Sequence, residues 1–452
     1  MTYHLGVDLG TTYTAAAIAR DRRAQAVTLD SRSIAIPSVV YFGGDSLIVG
    51  HGAQRRALTE PARVAREFKR RVGDPTPILL GGSPVAAELL MARLLDWVVG
   101  QVAASEGAPP ASLAVTHPAN WGEYKLDLLR QAIRHVGLSV DHLVAEPVAA
   151  ATFYASERDL PPGTVVAVYD LGGGTFDAAV VRVDQPTPGP GQPDGFRIVG
   201  RPEGIERLGG IDFDHAVFHH VTESIGLDVD ALDLADPRTT AALAQLRSSC
   251  VEGKEALSND TDVSIPVMLP DIHTAVRLTR AEFEAMVRPG LDETLVALRR
   301  AVASADVAVE DLHAVLLVGG SSRIPLIALM VMAQLGRPAA VDARPKEAIS
   351  LGAALAAAAA DAASTTVVRT APPATVVPPP TAPGRTAVAM PPPSVAGPPT
   401  RGRPAQWAGP SPQPPPSEPS PPPGGRASRA VLVGLIAGIV VAAAVAAFLL
   451  TR

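Results

Sequence analysis

The sequence predicts an α/β chain whose folded part has two lobes of similar design. Strand-like and helix-like segments alternate over residues 1–363, a pattern that builds helices onto sheets. The run Asp8-Leu9-Gly10-Thr11-Thr12 is echoed by Asp170-Leu171-Gly172-Gly173-Gly174-Thr175, an approximate repeat far apart in the chain. Each run joins two apolar strands, so the sheets contain hairpins and are mixed rather than purely parallel. A chain of 452 residues also exceeds what one ordinary core supports. The lobes are expected at about 1–164 with 341–363, and at about 165–340.

The elements follow in order. After the first hairpin come an amphipathic helix near Val85–Ala104, a strand at Leu113–Thr116 and a helix near Gly122–Val136. "VVAVYDLGGGTFDAAVVRV", Val165–Val183, reads as a buried strand, a Gly-rich turn and a second strand. Helical stretches follow near Phe213–Ile225, Thr239–Leu257 and Arg280–Ala303. "HAVLLVGGSSRIPLI", His313–Ile327, reads as strand, Gly-Gly turn and helix start, and a last helix from Pro345 to about Ala363 closes the zone.

Two further zones differ in composition. Residues 364–428 hold about half of the 44 prolines. Such a segment buries too little apolar surface to offset its chain entropy and is expected to be a disordered linker with polyproline II character. Fully extended it would reach on the order of 200 Å. "AVLVGLIAGIVVAAAVAAFLL", Ala430–Leu450 within residues 429–451, is uncharged and apolar, long enough to cross a bilayer core of roughly 30 Å. Arg426 and Arg429 precede it and Arg452 follows, a charge bias that favours a tail anchor in the lipid bilayer with the body in the cytoplasm.

Composition excludes several function classes. A net charge of −6 and a pI near 5.9 argue against a nucleic-acid binder, which shows a basic face. Cys250 is the single cysteine, so neither an internal disulfide nor a thiolate metal cluster can form. The N-terminus lacks the basic and apolar regions of a signal peptide.

The two Asp-Leu-Gly turns are not P-loops, because each joins strand to strand and GxxxxGK[ST] is absent. A hairpin can still bind phosphate. Successive backbone N–H groups form a concave nest, and glycine lets oxygen approach closely. Thr11, Thr12 and Thr175 add hydroxyl donors, and Asp8 and Asp170 stand where a carboxylate could hold a hydrated Mg²⁺. Gly319-Gly320-Ser321-Ser322 precedes a predicted helix start, which suits a sugar or base.

Eight motifs in order resemble the nucleotide-binding domain of the DnaK (heat-shock seventy) chaperones, which shares a two-lobed, ribonuclease H-like fold with actin. They are VDLGTTYT, FKRRVG, THPANW, AEPVAAA, YDLGGGTFD, LGGIDFD, LLVGGSSRIP and EAISLGAA, spanning residues 3–360. The resemblance implies an actin-like ATPase fold holding ATP or ADP with Mg²⁺. Asp8 and Asp170 would lie on the metal side, and Gly10, Thr11, Thr12, Tyr13, Gly172, Gly173 and Gly174 around the phosphates. Lys69, in a basic run that alone reads as a solvated helix face, would contact the γ-phosphate. Glu146, which alone reads as a helix N-terminal carboxylate, would orient or deprotonate the attacking water, with Asp177 a second candidate and Thr175 bonding phosphate or water. Lys254 and Ser258 would contact adenosine from the second lobe, and Gly319, Gly320, Ser321 and Arg323 would form the opposite wall. Pro118 matches a proline that couples nucleotide state to lobe rotation.

Several positions depart from the family. Val251 stands where it has Glu, Lys346 where it has an acidic residue, and Ile211 where it has Glu. Asp141-His142 replaces a basic pair that helps receive J-domain cochaperones, which argues against the standard cochaperone cycle. Linker and apolar span stand where the family has an apolar linker and a β-sandwich substrate domain. The expectation is a slowly hydrolysing, chaperone-like switch at the membrane with an unidentified client or partner. The alternative is a non-hydrolysing scaffold that holds nucleotide structurally. A sugar kinase or filament protein is disfavoured by FKRRVG and YDLGGGTFD.

Overall fold

The computed structural model describes residues 2–370, except 22, 31–32, 45–46, 159, 185–194 and 342–343. Most of the Pro-rich stretch and the apolar run Ala430–Leu450 lie outside the described residues. Among the described residues, no helix is long and apolar enough to cross a membrane.

The first lobe begins with β1 (His4–Leu9), β2 (Tyr13–Arg20), β3 (Arg23–Ala26) and β4 (Ala35–Pro37). Small elements follow: β5 (Val40–Phe42), β6 (Leu47–Val49), α1 (His51–Arg56), β7 (Val64–Ala65), β8 (Ile78–Leu80) and β9 (Ser83–Val85). Then come α2 (Ala87–Glu106), β10 (Ser112–His117), α3 (Glu123–His135), β11 (His142–Ala145) and α4 (Glu146–Ser156). The main sheet runs β11-β10-β1-β2-β3, with β4 paired to β2. β1 pairs antiparallel with β2 and parallel with β10, the mixed sheet that the hairpin turn requires. On α2, Leu90, Met91, Leu94, Leu95, Val98 and Val102 recur at helical spacing and are all buried.

The second lobe holds β12 (Val165–Leu171), β13 (Phe176–Val183), β14 (Phe196–Ile205), α5 (Gly210–Ser224) and α6 (Pro237–Ala256). It continues through β15 (Asp262–Leu269), β16 (Ile272–Thr279), α7 (Arg280–Ser304), β17 (Leu312–Val318), α8 (Pro325–Leu335) and β18 (Ala339–Val341). Its sheet order is β14-β13-β12-β17-β18. The β12–β13 hairpin and the parallel β12–β17 pair reproduce the relation of β1 to β2 and β10, so the sequence repeat is also a repeat of topology.

α9 (Ala348–Thr370) returns to the first lobe. It runs past Ala363, where the sequence pattern ends it, because no proline interrupts the chain before Pro372. α4 and α9 form a core with residues of both sheets: Ala17 and Ala114 from one, Val166, Val168 and Leu316 from the other. Two helices held this closely tolerate mostly small side chains, which accounts for the Ala-rich runs VAAAT in α4 and AALAAAAA in α9. A Cβ on Gly352 would collide with the carbonyl of Ala149, and one on Gly6 with the backbone of α9 at Ala354.

That contact generates a stability prediction. Gly352→Val should lose roughly 3 kcal/mol by overpacking. Gly100→Ala, where a Cβ meets nothing within 4 Å, should gain about 0.5–1 kcal/mol from helix propensity. Chemical unfolding midpoints check both, and equal effects would contradict the packing.

Candidate functional site

The two Asp-Leu-Gly turns meet. Gly10, Thr11 and Thr12 form the turn between β1 and β2, held from behind by Ser38, whose Oγ donates to Gly10 O at 2.7 Å and whose N–H donates to Thr12 O at 2.8 Å. The turn between β12 and β13 closes through Gly172 N–H donating to Thr175 O at 3.1 Å. A side chain on Gly173 would collide with Thr12 Oγ1, and one on Gly174 with Thr11. Glycine is required here because the opposing loops are in contact. The α5 N-terminus docks on the second loop, with Gly210 and Ile211 N–H donating to Gly172 O and Gly173 O at 3.1 and 2.8 Å. Ser321 Oγ donates to Gly172 O at 3.0 Å.

Behind the loops lies a group of buried charges. Lys69 sits in a 3-10 turn, Phe68–Arg71, and is buried rather than on a solvated helix face. Its Nζ donates to Glu146 Oε1 at 2.6 Å, and Glu146 is the first residue of α4, where the helix dipole favours a carboxylate. Asp170 and Asp177 are direct cross-strand partners on β12 and β13, and both are buried. Asp8, at the end of β1, accepts from Thr116 Oγ1 at 2.8 Å.

These groups disturb one another's titration. Burial, with Glu146 nearby, pushes Asp177 up to about 7. Burial pushes Asp8 up to about 6 against the pull of Lys69 and the Thr116 hydrogen bond. Asp170 is raised by burial and by the charges of Glu146, Asp177 and Asp8. Burial pulls the Lys69 ammonium down, but Glu146 and Asp8 outweigh it and the net shift is upward, so Lys69 stays charged. Four carboxylates thus surround one ammonium in a space that Asp8 and Asp170 share with the loops. Asp8 and Asp170 face the cavity, and among the described residues no group of three or more acidic, histidine or cysteine side chains is placed to hold a metal ion by itself.

An open cavity extends from the loops. Of the residues expected from sequence, Asp8, Gly10, Thr11, Thr12, Tyr13, Lys69, Glu146, Asp170, Gly172, Gly173, Thr175, Lys254, Ser258, Gly319, Gly320 and Ser321 line it. Gly174, Asp177 and Arg323 do not. The carbonyl of Gly174 accepts from Arg70 Nε at 2.7 Å, Asp177 lies buried on β13 two residues after Thr175, and Arg323 is exposed at the end of a 3-10 turn, Gly320–Arg323. That turn stands between Gly319 and α8, so the helix begins only at Pro325. Position 319 requires glycine on two counts: its φ is 83°, and a Cβ there would lie 2.6 Å from Asp170 Oδ1.

Sequence reasoning missed three residues. Asp214 ion-pairs with Lys254 at 2.7 Å, and burial raises its pKa despite that partner. Glu255 lines the cavity beside Lys254. Arg70 of the first lobe binds Gly174 O and, at 2.9 Å, Asp212 near the start of α5, holding the two lobes together beside the loops. Asp214 falls within the motif LGGIDFD, four residues after Gly210 and so on the same helix face, which is the signal that could have found it.

The fold, the paired loops and the charge group agree with one comparison. The family model for Hsp70 protein matches residues 4–77 and 79–368, a span that includes every residue of the cavity. Domains of that family bind ATP or ADP with Mg²⁺ and serve chaperone-type functions. This chain belongs to the Hsp70 family.

Proposed function

We propose that the chain binds ATP and ADP as Mg²⁺ complexes in this cavity, hydrolyses ATP slowly, and uses lobe movement as a chaperone-like switch tethered to the cytoplasmic face of a membrane. The observation that carries the catalytic part is the buried Lys69–Glu146 pair, 2.6 Å apart, beside both phosphate-type loops. A nucleotide-holding scaffold needs the loops, whereas a buried ammonium and carboxylate at the phosphate end suit transfer to water.

Each residue has a chemical task. The N–H groups and hydroxyls of Gly10–Thr12 and Gly172–Thr175 hold the phosphates from two sides. Lys69, kept charged by its neighbours, stabilises negative charge developing on the transferred group. Glu146, ion-paired with Lys69, accepts a hydrogen bond from the attacking water and orients it. Thr175 positions that water or the phosphate. Asp177, raised by burial to about 7, is the second proton acceptor within the group. When bound, Mg²⁺ supplies charge neutralisation at the phosphates, with Asp8 and Asp170 as its protein-side acceptors.

A second reading rests on the far end of the cavity. Val251 and Lys346 line it, and each replaces an acidic residue usual in the family, so a scaffold that holds nucleotide without turnover stays in view. Lys69→Ala should slow hydrolysis about 10²–10³-fold. It also leaves Glu146 buried without its partner, at a cost of about 3–5 kcal/mol, so Lys69→Met/Glu146→Gln serves as the folded control and should be equally slow. Single-turnover rates on the full chain measure this, and equal rates in wild type and variants would favour the scaffold.

The tether rests on the length of Ala430–Leu450 and the flanking Arg426 and Arg429. The full chain should stay with membranes through alkaline extraction, and a chain ending at residue 428 should be released. Release of both would refute the anchor.

A further inference from the structure

With phosphates between the two loops, the nucleoside of a bound nucleotide extends toward the rest of the cavity. That end is bounded by α6 and by the segment leading into α9. Its lining mixes polar side chains, Asp214, Lys254 and Ser258 among them, with Val251, Ile324 and Ile349, which suit the faces of a flat base. Lys254 and Asp214 are paired with each other at 2.7 Å, and the more exposed charges there are Lys346 and Glu255. The Lys346 ammonium lies 4.4 Å from the centroid of the Tyr13 ring and 3.8 Å from Glu255 Oε1. Tyr13 belongs to β2 of the first lobe and Glu255 to α6 of the second, so Lys346 spans the mouth between them. Its side chain is 35% exposed and that of Glu255 is 52% exposed. A pair this exposed and this long is weak, so the two side chains can separate and turn to a ligand at little cost.

We propose that Lys346 and Glu255 read the edge of the nucleotide base, and that together they admit guanine beside adenine. The proposal rests on the nucleotide-binding role assigned above. Guanine offers an oxygen acceptor at O6 and a ring-nitrogen acceptor at N7, the atoms that a lysine ammonium recognises. Its N1–H and N2 amino group offer two donors side by side, a match for one carboxylate with two oxygens. Adenine offers the same carboxylate its N6 amino group, but the neighbouring N1 is a lone pair that faces an acceptor. A cation and a carboxylate free to turn toward the base edge therefore satisfy guanine at least as fully as adenine.

Calorimetric titration of the full chain in detergent with Mg·ADP and with Mg·GDP tests this, in wild type, Glu255→Ala and Lys346→Ala. Mg·GDP should bind wild type within about tenfold of Mg·ADP. Glu255→Ala should weaken Mg·GDP about tenfold or more while changing Mg·ADP far less, as expected for loss of a bidentate contact. Lys346→Ala should weaken Mg·GDP in the same sense, and unchanged melting temperatures would show that both variants are folded. Binding of Mg·ADP with Mg·GDP more than a hundredfold weaker, or with a ratio unmoved by both substitutions, overturns the base assignment alone. Failure of both nucleotides to bind wild type at millimolar concentration overturns the nucleotide-binding role as well.

Discussion

One buried ammonium among four carboxylates is the constraint around which this molecule is arranged. Lys69 comes from a short turn, Glu146 from the start of α4, Asp8 from β1, and Asp170 and Asp177 from β12 and β13. These charges reach one another only if both hairpins, one from each lobe, face inward at the same place. Removing them from water is costly unless they are paired and hydrogen-bonded. The Lys69–Glu146 contact and the Thr116 hydrogen bond to Asp8 offset part of that cost. The raised pKa values of Asp8, Asp170 and Asp177 show that much of it remains.

The rest of the fold holds that arrangement still. α4 presents Glu146 from its first turn, and α4 is fixed in turn by α9 through contacts that leave no room for a side chain on Gly352. The core that these two helices share with both sheets ties the lobes at their base. Nearer the loops, Arg70 ties them again through Gly174 and Asp212. On the cavity side the lobes meet at the loops, through Arg70 and through the Lys346–Glu255 pair.

Much of the fold was legible because its signals are local. The alternation of apolar strands and amphipathic helices, the repeated Asp-Leu-Gly turn and the Gly-Gly-Ser-Ser turn each state their own geometry. What was not legible depends on contacts across the chain. Lys69 lies in a run of basic residues that reads as a solvated surface, and carboxylates far away in the chain, Glu146 77 positions on and Asp8 on β1, make its burial tolerable. Glu255 and Asp214 acquire meaning from Lys346 and Lys254, which no spacing rule connects to them. The Gly320–Arg323 turn shows the converse, where a local pattern suggested a helix start and one extra turn of 3-10 geometry left Arg323 exposed.

The raised carboxylates also fix the most direct test. A group whose folded pKa exceeds its unfolded value lowers stability as pH rises, here from about 4 to about 7 for Asp8 and Asp177. Above that window the ionised cluster favours a cation, and below it protons take the cation's place. Affinity for ADP, measured with and without Mg²⁺ across pH 5 to 8, reads this out. The account predicts that Mg²⁺ strengthens ADP binding strongly at pH 8 and little at pH 5. Equal affinity with and without Mg²⁺ at pH 8 would contradict it.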